Sequence, residues 1–157
     1  MAGASENLCS EIRPENYSSG LGKVISLLNI MDTKQLGNLG EKIAADFLKK
    51  KGYKILDKNY IPKWMHGPEK KEIDIITRKG NIISFIEVKT LGGDSQIFSP
   101  EDKVDFLKQR KIIKAAQSYL LEKKINPETR WQIDVIAIKI DFASKKAKIK
   151  HLKNVVY

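Results

Sequence analysis

Glu72-Ile73-Asp74-Ile75-Ile76-Thr77-Arg78-Lys79-Gly80-Asn81-Ile82-Ile83-Ser84-Phe85-Ile86-Glu87-Val88-Lys89 is the stretch whose reading decides the fold. Two apolar runs, Ile73–Thr77 and Ile82–Val88, flank Lys79-Gly80-Asn81, and this pattern predicts a β-hairpin. Side chains in a strand alternate faces, so Glu87 and Lys89 point the same way as Phe85 and Ile83, while Asp74 shares its face with Glu72 and Ile76. Facing residues of an antiparallel hairpin have position numbers of constant sum. A loop of two or four residues around Gly80 therefore puts Asp74 on the face of Glu87, directly opposite or one diagonal away. A three-residue loop would flip one strand and separate them.

Carboxylates brought that close repel unless a cation or a proton lies between them. Hard divalent cations such as Mg²⁺ take oxygen ligands, typically one or two carboxylates with water and a substrate phosphate. The plainer alternative is a surface hairpin in which Lys89 neutralises Glu87 and Asp74 faces water, as charged strand residues usually do. Against it, both acids sit inside Ile/Phe/Val-rich runs that ought to be buried.

At 157 residues the chain fits one domain with a sizeable core. Its net charge is +10. Residues 1–32 set Arg13 and Lys23 against Glu6, Glu11, Glu15 and Asp32, a net −2, so the remainder carries +12. Such a basic body suits a polyanion, nucleic acid before membrane, although a lysine-rich solubilising surface gives the same balance. Cys9 is the only cysteine, which excludes an intrachain disulfide and a cysteine-based zinc site. His66 and His151 stand far apart in sequence, so no histidine cluster is expected. No apolar run is long enough to span a bilayer, and residues 1–20 lack the basic and apolar regions of a signal peptide. The expected location is cytoplasmic.

Residues 1–32 read as a poorly ordered extension, or one that docks its apolar patch Val24–Ile30 on the body; residues 33–157 form the α/β domain. From Thr33, Leu36, Leu39, Gly40, Ile43, Ala44, Phe47 and Leu48 recur at helical spacing, and Lys49-Lys50-Lys51-Gly52 ends the helix. Glu41 falls at the edge of that buried stripe; the alternative is an ordinary first-turn acid that complements the helix dipole. Tyr53–Leu56 reads as a short strand and Asn59–Lys71 as a polar loop whose Trp64 and Met65 pack in the core, cover the hairpin or contact a ligand. Leu91–Phe98 reads as a loop beside the site. Ser99-Pro100-Glu101-Asp102 has the residues of a helix start, and that helix runs to Glu122. It turns Val104, Leu107, Ile112, Ile113, Ala116, Tyr119 and Leu120 inward. Its outer Lys103, Lys108, Arg110, Lys111 and Lys114 suit phosphate contacts or plain solvation. Trp131–Ile140, containing Asp134, and Lys146–His151 close the domain as strands. Helix, strand, hairpin, helix and strand in succession predict a three-layer α/β domain: a central mixed sheet from residues 53–56, 72–78, 82–89 and 131–140, with helices 34–51 and 101–122 packed on it.

With these elements placed, Asp74 and Glu87-x-Lys89 on adjacent strands after a helix resemble the PD-(D/E)xK nuclease superfamily and its restriction-endonuclease-like fold. The body from Gly37 to about Asp141 further resembles the YraN-like family of uncharacterised bacterial proteins, which is assigned to that superfamily and related in fold to Holliday-junction resolvases. The residues that carry the likeness are Gly37-x-x-Gly40-Glu41-x-x-Ala44-Ala45 with Phe47-Leu48, Gly52-Tyr53 and Asn59. They continue through Glu72-Ile73-Asp74-Ile75-Ile76, Phe85-Ile86-Glu87-Val88-Lys89, Lys103, Ala115-Ala116, Tyr119-Leu120 and Arg130-x-x-Ile133-Asp134-Val135. Lys71 stands where the family usually has glycine, and the 59–71 loop is longer and lacks the usual arginine.

The resemblance implies roles. Asp74 and Glu87 would hold Mg²⁺ or Mn²⁺, with the Val88 carbonyl as a further ligand and Glu41 completing or bridging the site. Lys89 would orient or help deprotonate the attacking water and counter the charge developing on the scissile phosphate. Lys103, Gln96 and Gln109, with Lys108, Arg110 and Lys111 of the basic helix face, would contact the substrate backbone, and Asp134 would support the site or pair with a lysine. The implied function is a metal-dependent DNA endonuclease, structure-selective and compatible with a homodimer. Two other classes fit the same residues: a nucleic-acid-binding module that does not cleave, and an accessory protein whose acidic cluster is structural.

Overall fold

The computed structural model describes residues 8–12, 32–64, 73–92 and 106–155. The hairpin that the sequence predicts is present as β3 (Ile73–Lys79) and β4 (Ile82–Gly92). Their register runs from Ile75 opposite Ile86 to Lys79 opposite Ile82, which leaves Gly80-Asn81 as a two-residue loop. Gly80 takes φ +57°, a conformation open to glycine at little cost and favoured at the first central position of a tight hairpin turn.

Around this hairpin lies a six-stranded mixed sheet in the order β1-β6-β5-β4-β3-β2. The other strands are β1 (Leu8–Ile12), β2 (Lys54–Tyr60), β5 (Arg130–Asp141) and β6 (Lys146–Leu152). β4 and β5 pair in parallel from Ile82 opposite Arg130 to Gly92 opposite Ile140, while every other neighbouring pair is antiparallel. A parallel pair cannot be joined by a tight turn and needs a crossover, here containing helix α2 (Phe106–Glu122).

Helix α1 (Thr33–Lys50) starts at a capping box: the Asp32 carboxylate accepts from the Gln35 N–H at 2.7 Å, and the Gln35 side chain accepts from the Asp32 N–H at 3.2 Å. Gly52, at φ +80°, follows the last turn. One core joins Leu39, Ile43, Ala44, Phe47 and Leu48 of α1 to Ile75, Ile86, Ile136, Ile138 and Ile149 of the sheet. A second joins Ile112, Ala115, Ala116 and Tyr119 of α2 to Ile76, Ile83, Phe85, Ile133 and Val135. Neighbouring residues of β4 and β5 thus serve opposite helices, and the protein is a three-layer α/β fold with an open sheet.

Several sequence expectations are corrected. β2 runs on to Tyr60, beyond the short strand 53–56, with a register shift between Ile55 and Asp57 and Asn59 at φ +51°. The sequence reading ends the strand at Leu56 and starts a loop at Asn59 because Asp57-Lys58-Asn59 is polar, and these side chains are largely exposed at the sheet edge. β4 extends through Leu91 and Gly92, which the sequence reading gives to a loop. Trp64 does not pack in the core; half its surface is exposed. Within residues 1–32, Leu8–Ile12 add to β6 as an edge strand. Val24–Ile30, Met65, Gly93–Phe98 and the predicted helix start at 99–102 lie outside the described residues.

Candidate metal centre

The hairpin register, extended one step beyond Ile75 opposite Ile86, sets Asp74 across from Glu87. In a hairpin closed by a two-residue loop this is a non-hydrogen-bonded pair, the kind whose side chains lie closest. Both carboxylates are buried, each residue keeping 8% of its surface. They occupy the face on which Phe85, Ile83 and Ile76 pack against α2. One Asp74 oxygen accepts from the Val88 N–H at 2.7 Å, so the carboxylate is turned onto the backbone of the strand that carries Glu87.

Lys108 of α2 reaches across the layer and donates to Glu87 Oε1. Burial, followed by the negative charge of Asp74, pushes the Glu87 carboxyl above its ordinary range; the hydrogen bond and charge of Lys108, and then the charge of Lys89, pull the other way. Lys89 is half-buried two positions further along β4, on the side of the strand that carries Glu87. The result is a desolvated pair of carboxylates, whose burial and mutual repulsion favour a cation or proton between them, flanked by two ammonium groups that offset part of that demand.

Glu41 is half-buried in α1, the helix on the opposite face of the sheet. It is the ninth residue of that helix, so the first-turn dipole explanation does not apply to it. Its position follows from Gly40, whose backbone lies against Thr90 so closely that an added Cβ would sit 1.7 Å from Thr90 Oγ1. Among the described residues, no group of three or more His, Cys, Asp or Glu side chains gathers to hold a metal ion. The structure therefore brings Asp74, Glu87 and Val88 together, with Lys89 beside them, but does not gather Glu41 into a three-carboxylate cluster with Asp74 and Glu87. Glu72, Gln96 and Lys103 lie outside the described residues. Gln109 is half-buried, and Arg110 and Lys111 are exposed on α2.

Two carboxylates are hard oxygen donors of the kind that Mg²⁺ or Mn²⁺ takes, the rest of the shell being water and phosphate. The Val88 group seen at the pair is an N–H that donates to Asp74 and is not itself a ligand. The buried Asp74–Glu87 pair fits such an ion.

Sequence reasoning missed two partnerships. Lys108, which the sequence reading places on the outer face of the helix, instead turns toward the sheet and meets Glu87; its spacing of four, seven and eight before Ile112, Ala115 and Ala116 carries the inward stripe to it. His151 and Asp134, distant in sequence, meet at 3.0 Å in the layer under α1, where Asp134 also accepts from the Asn154 N–H and the Gln132 amide. Asp134 is wholly buried on the face opposite Glu87 and binds a histidine; among the described residues it neither pairs with a lysine nor touches the carboxylate pair.

The fold and the pair define an α/β protein with a buried acidic hairpin. The chain matches the model of the uncharacterised protein family UPF0102 over residues 40–138. It is 41% identical over 122 residues to a UPF0102 protein of Clostridium botulinum strain 657, covering 77% of this chain and 93% of the relative. A UPF0102 protein of Clostridium tetani is 46% identical over 105 residues, 67% of this chain and 80% of that protein. The chain belongs to the UPF0102 family. Among the described residues no helix is long and apolar enough to cross a membrane.

Proposed function

We propose that this protein is a Mg²⁺- or Mn²⁺-dependent nuclease that hydrolyses phosphodiester bonds, with DNA as the favoured substrate. The observation that supports this reading is the buried carboxylate pair, Asp74 and Glu87, held under burial and mutual repulsion that a divalent cation would relieve. Asp74 and Glu87 would hold the ion, next to the Val88 backbone. A bound divalent cation supplies a polarised phosphoryl oxygen and a water acidic enough to attack near neutral pH. Lys89 stands beside the pair, on the side of β4 that carries Glu87, where it orients the attacking water and offsets charge on the scissile phosphate. Lys108 contributes a second positive charge next to Glu87 and can pass from the carboxylate to a substrate phosphate. Glu41, carried by α1 beside Thr90, acts from the far side of β4 and not as a third ligand in this geometry.

The Lys108–Glu87 contact also favours a second reading, a binding module that does not cleave, because an internal ammonium already neutralises Glu87. Cleavage of duplex, single-stranded and four-way-junction DNA with Mg²⁺ or Mn²⁺ separates the two. It is run beside Asp74→Asn and Lys89→Ala proteins, with metal binding followed independently as a rise in melting temperature. A metal-dependent rise and cleavage in the wild type, the rise lost in Asp74→Asn and cleavage lost in both variants, are expected. No cleavage of any substrate, with binding that weakens steeply in salt, would sink the nuclease and leave the module.

A further inference from the structure

Trp64 is 51% exposed, an unusual position for the largest apolar side chain, yet it is not loose. Its indole N–H donates to Ser118 Oγ of α2 at 2.6 Å, which fixes the ring against the helix. Lys111 and Lys114 precede Ser118 by seven and four residues on one flank of α2, about 10.5 and 6 Å away along the axis, and both are exposed. Lys63, adjacent to the tryptophan, is exposed too. Lys108 continues the row toward Glu87, about 15 Å of helix from Ser118. A file of ammonium groups thus links the carboxylate pair to a pinned aromatic ring.

We infer that Trp64 is a stacking platform for an unpaired base, at the end of a phosphate track formed by Lys111 and Lys114. The occupant is a nucleic-acid strand with exposed bases. Every base has a π-face and every nucleotide one negative charge, so a fixed ring beside regularly spaced lysines binds both components with little sequence preference. Ile61 and Leu121, three residues from Trp64 and from Ser118 in sequence, are exposed apolar side chains as well. The inference deepens the nuclease reading by naming its substrate class, single-stranded or locally unpaired nucleic acid.

The test is binding of the full chain, in EDTA, to labelled oligo(dT), oligo(U) and a blunt duplex of matched length, followed by anisotropy. Trp64→Ala should weaken both single strands about tenfold, the size of one lost stacking contact, and leave the duplex unchanged. Trp64→Phe should keep most of the affinity. The salt slope should persist in Trp64→Ala and flatten in Lys111→Ala/Lys114→Ala, which removes charge and no ring. Far-ultraviolet circular dichroism checks that each variant is folded, and Ser118→Ala, which unpins the ring without removing it, should weaken the single strands less than Trp64→Ala. Unchanged affinity of Trp64→Ala for the single strands would overturn the inference, as would an equal loss on the duplex. So would a concentration-dependent dimer that Trp64→Ala dissolves, which would make the patch a self-association surface. Because binding is read without metal, absence of cleavage leaves this inference standing, and failure here leaves metal-dependent cleavage untouched.

Discussion

Glu87 sits where an ionised carboxylate costs the fold stability. Burial and Asp74 raise its pKa, so the folded protein holds a proton there more tightly than the unfolded chain does. The sign follows: above the raised folded value the ionised side chain disfavours the native state, and that penalty disappears as pH falls through it. Glu87→Gln should therefore be more stable than wild type at neutral pH by about 0.5–2 kcal/mol, the common gain from relieving such a site. The difference should shrink on acidification. Urea denaturation in EDTA at neutral and mildly acidic pH measures it, and a wild type that is the more stable at neutral pH would refute the argument. The two acids could be read from the hairpin alone because strand alternation and a short glycine turn fix their faces without tertiary information. Lys108 could be placed on the helix by spacing, but not on Glu87, because that contact depends on how α2 packs across the sheet.

At the scale of elements, α1 meets β4 through a glycine that admits no side chain. A Cβ at Gly40 would lie 1.7 Å from Thr90 Oγ1 and 2.8 Å from Thr90 Cβ, so the backbones must separate or the threonine must go. Gly40→Ala should cost about 1–3 kcal/mol, the usual range for overpacking, despite the better helix propensity of alanine. Thr90→Ala should relieve it only in part, since it retains the Cβ; Thr90→Gly should relieve it further. A double-mutant cycle by chemical denaturation reads this as a coupling between the two positions, and simple additivity would show that the cost of the methyl does not come from the threonine. Elements with strong periodicity, α1, the β3–β4 hairpin and β5–β6, were legible in the sequence within a few residues. β2 beyond Leu56 was not, because an exposed edge strand carries Asp57, Lys58 and Asn59 and lacks the apolar alternation that marks a buried one. The strand at Leu8–Ile12 was hidden for a related reason: five residues of mixed character acquire meaning only from the edge of β6 that they pair with.

The whole molecule divides its polar chemistry between the two sides of one sheet. Toward α2 lie Asp74, Glu87, Lys89 and Lys108, a set of two carboxylates and two ammonium groups in which burial and Asp74 still hold the Glu87 carboxyl above its ordinary range. Toward α1 lie Asp134 and His151, with the His151 ring against Phe47 and Tyr53 and the Asp134 oxygens bonded to His151, Gln132 and the Asn154 backbone. This second network is fully partnered, and it ties β5, β6 and the segment after β6 together beneath the helix. Its residues resemble catalytic ones in type, and only the register of β5 against β6 reveals that they are structural. Asp134→Ala would leave the histidine, the amide and the Asn154 N–H without their acceptor in a buried layer, and a loss of about 3–5 kcal/mol follows. Such a loss lowers the melting temperature of a chain this size by several degrees or more. Below that temperature, Asp134→Ala should bind Mn²⁺ and oligo(dT) as the wild type does, because a whole β-sheet separates it from Glu87. Asp74→Asn should do the reverse, keeping or raising the melting temperature while losing the metal-dependent shift. Calorimetric melts with and without Mn²⁺ on the two variants compare these outcomes directly. Loss of metal binding in a folded Asp134→Ala protein would mean that the two faces are coupled through β4 and β5, and that the division between a structural and a functional side is false.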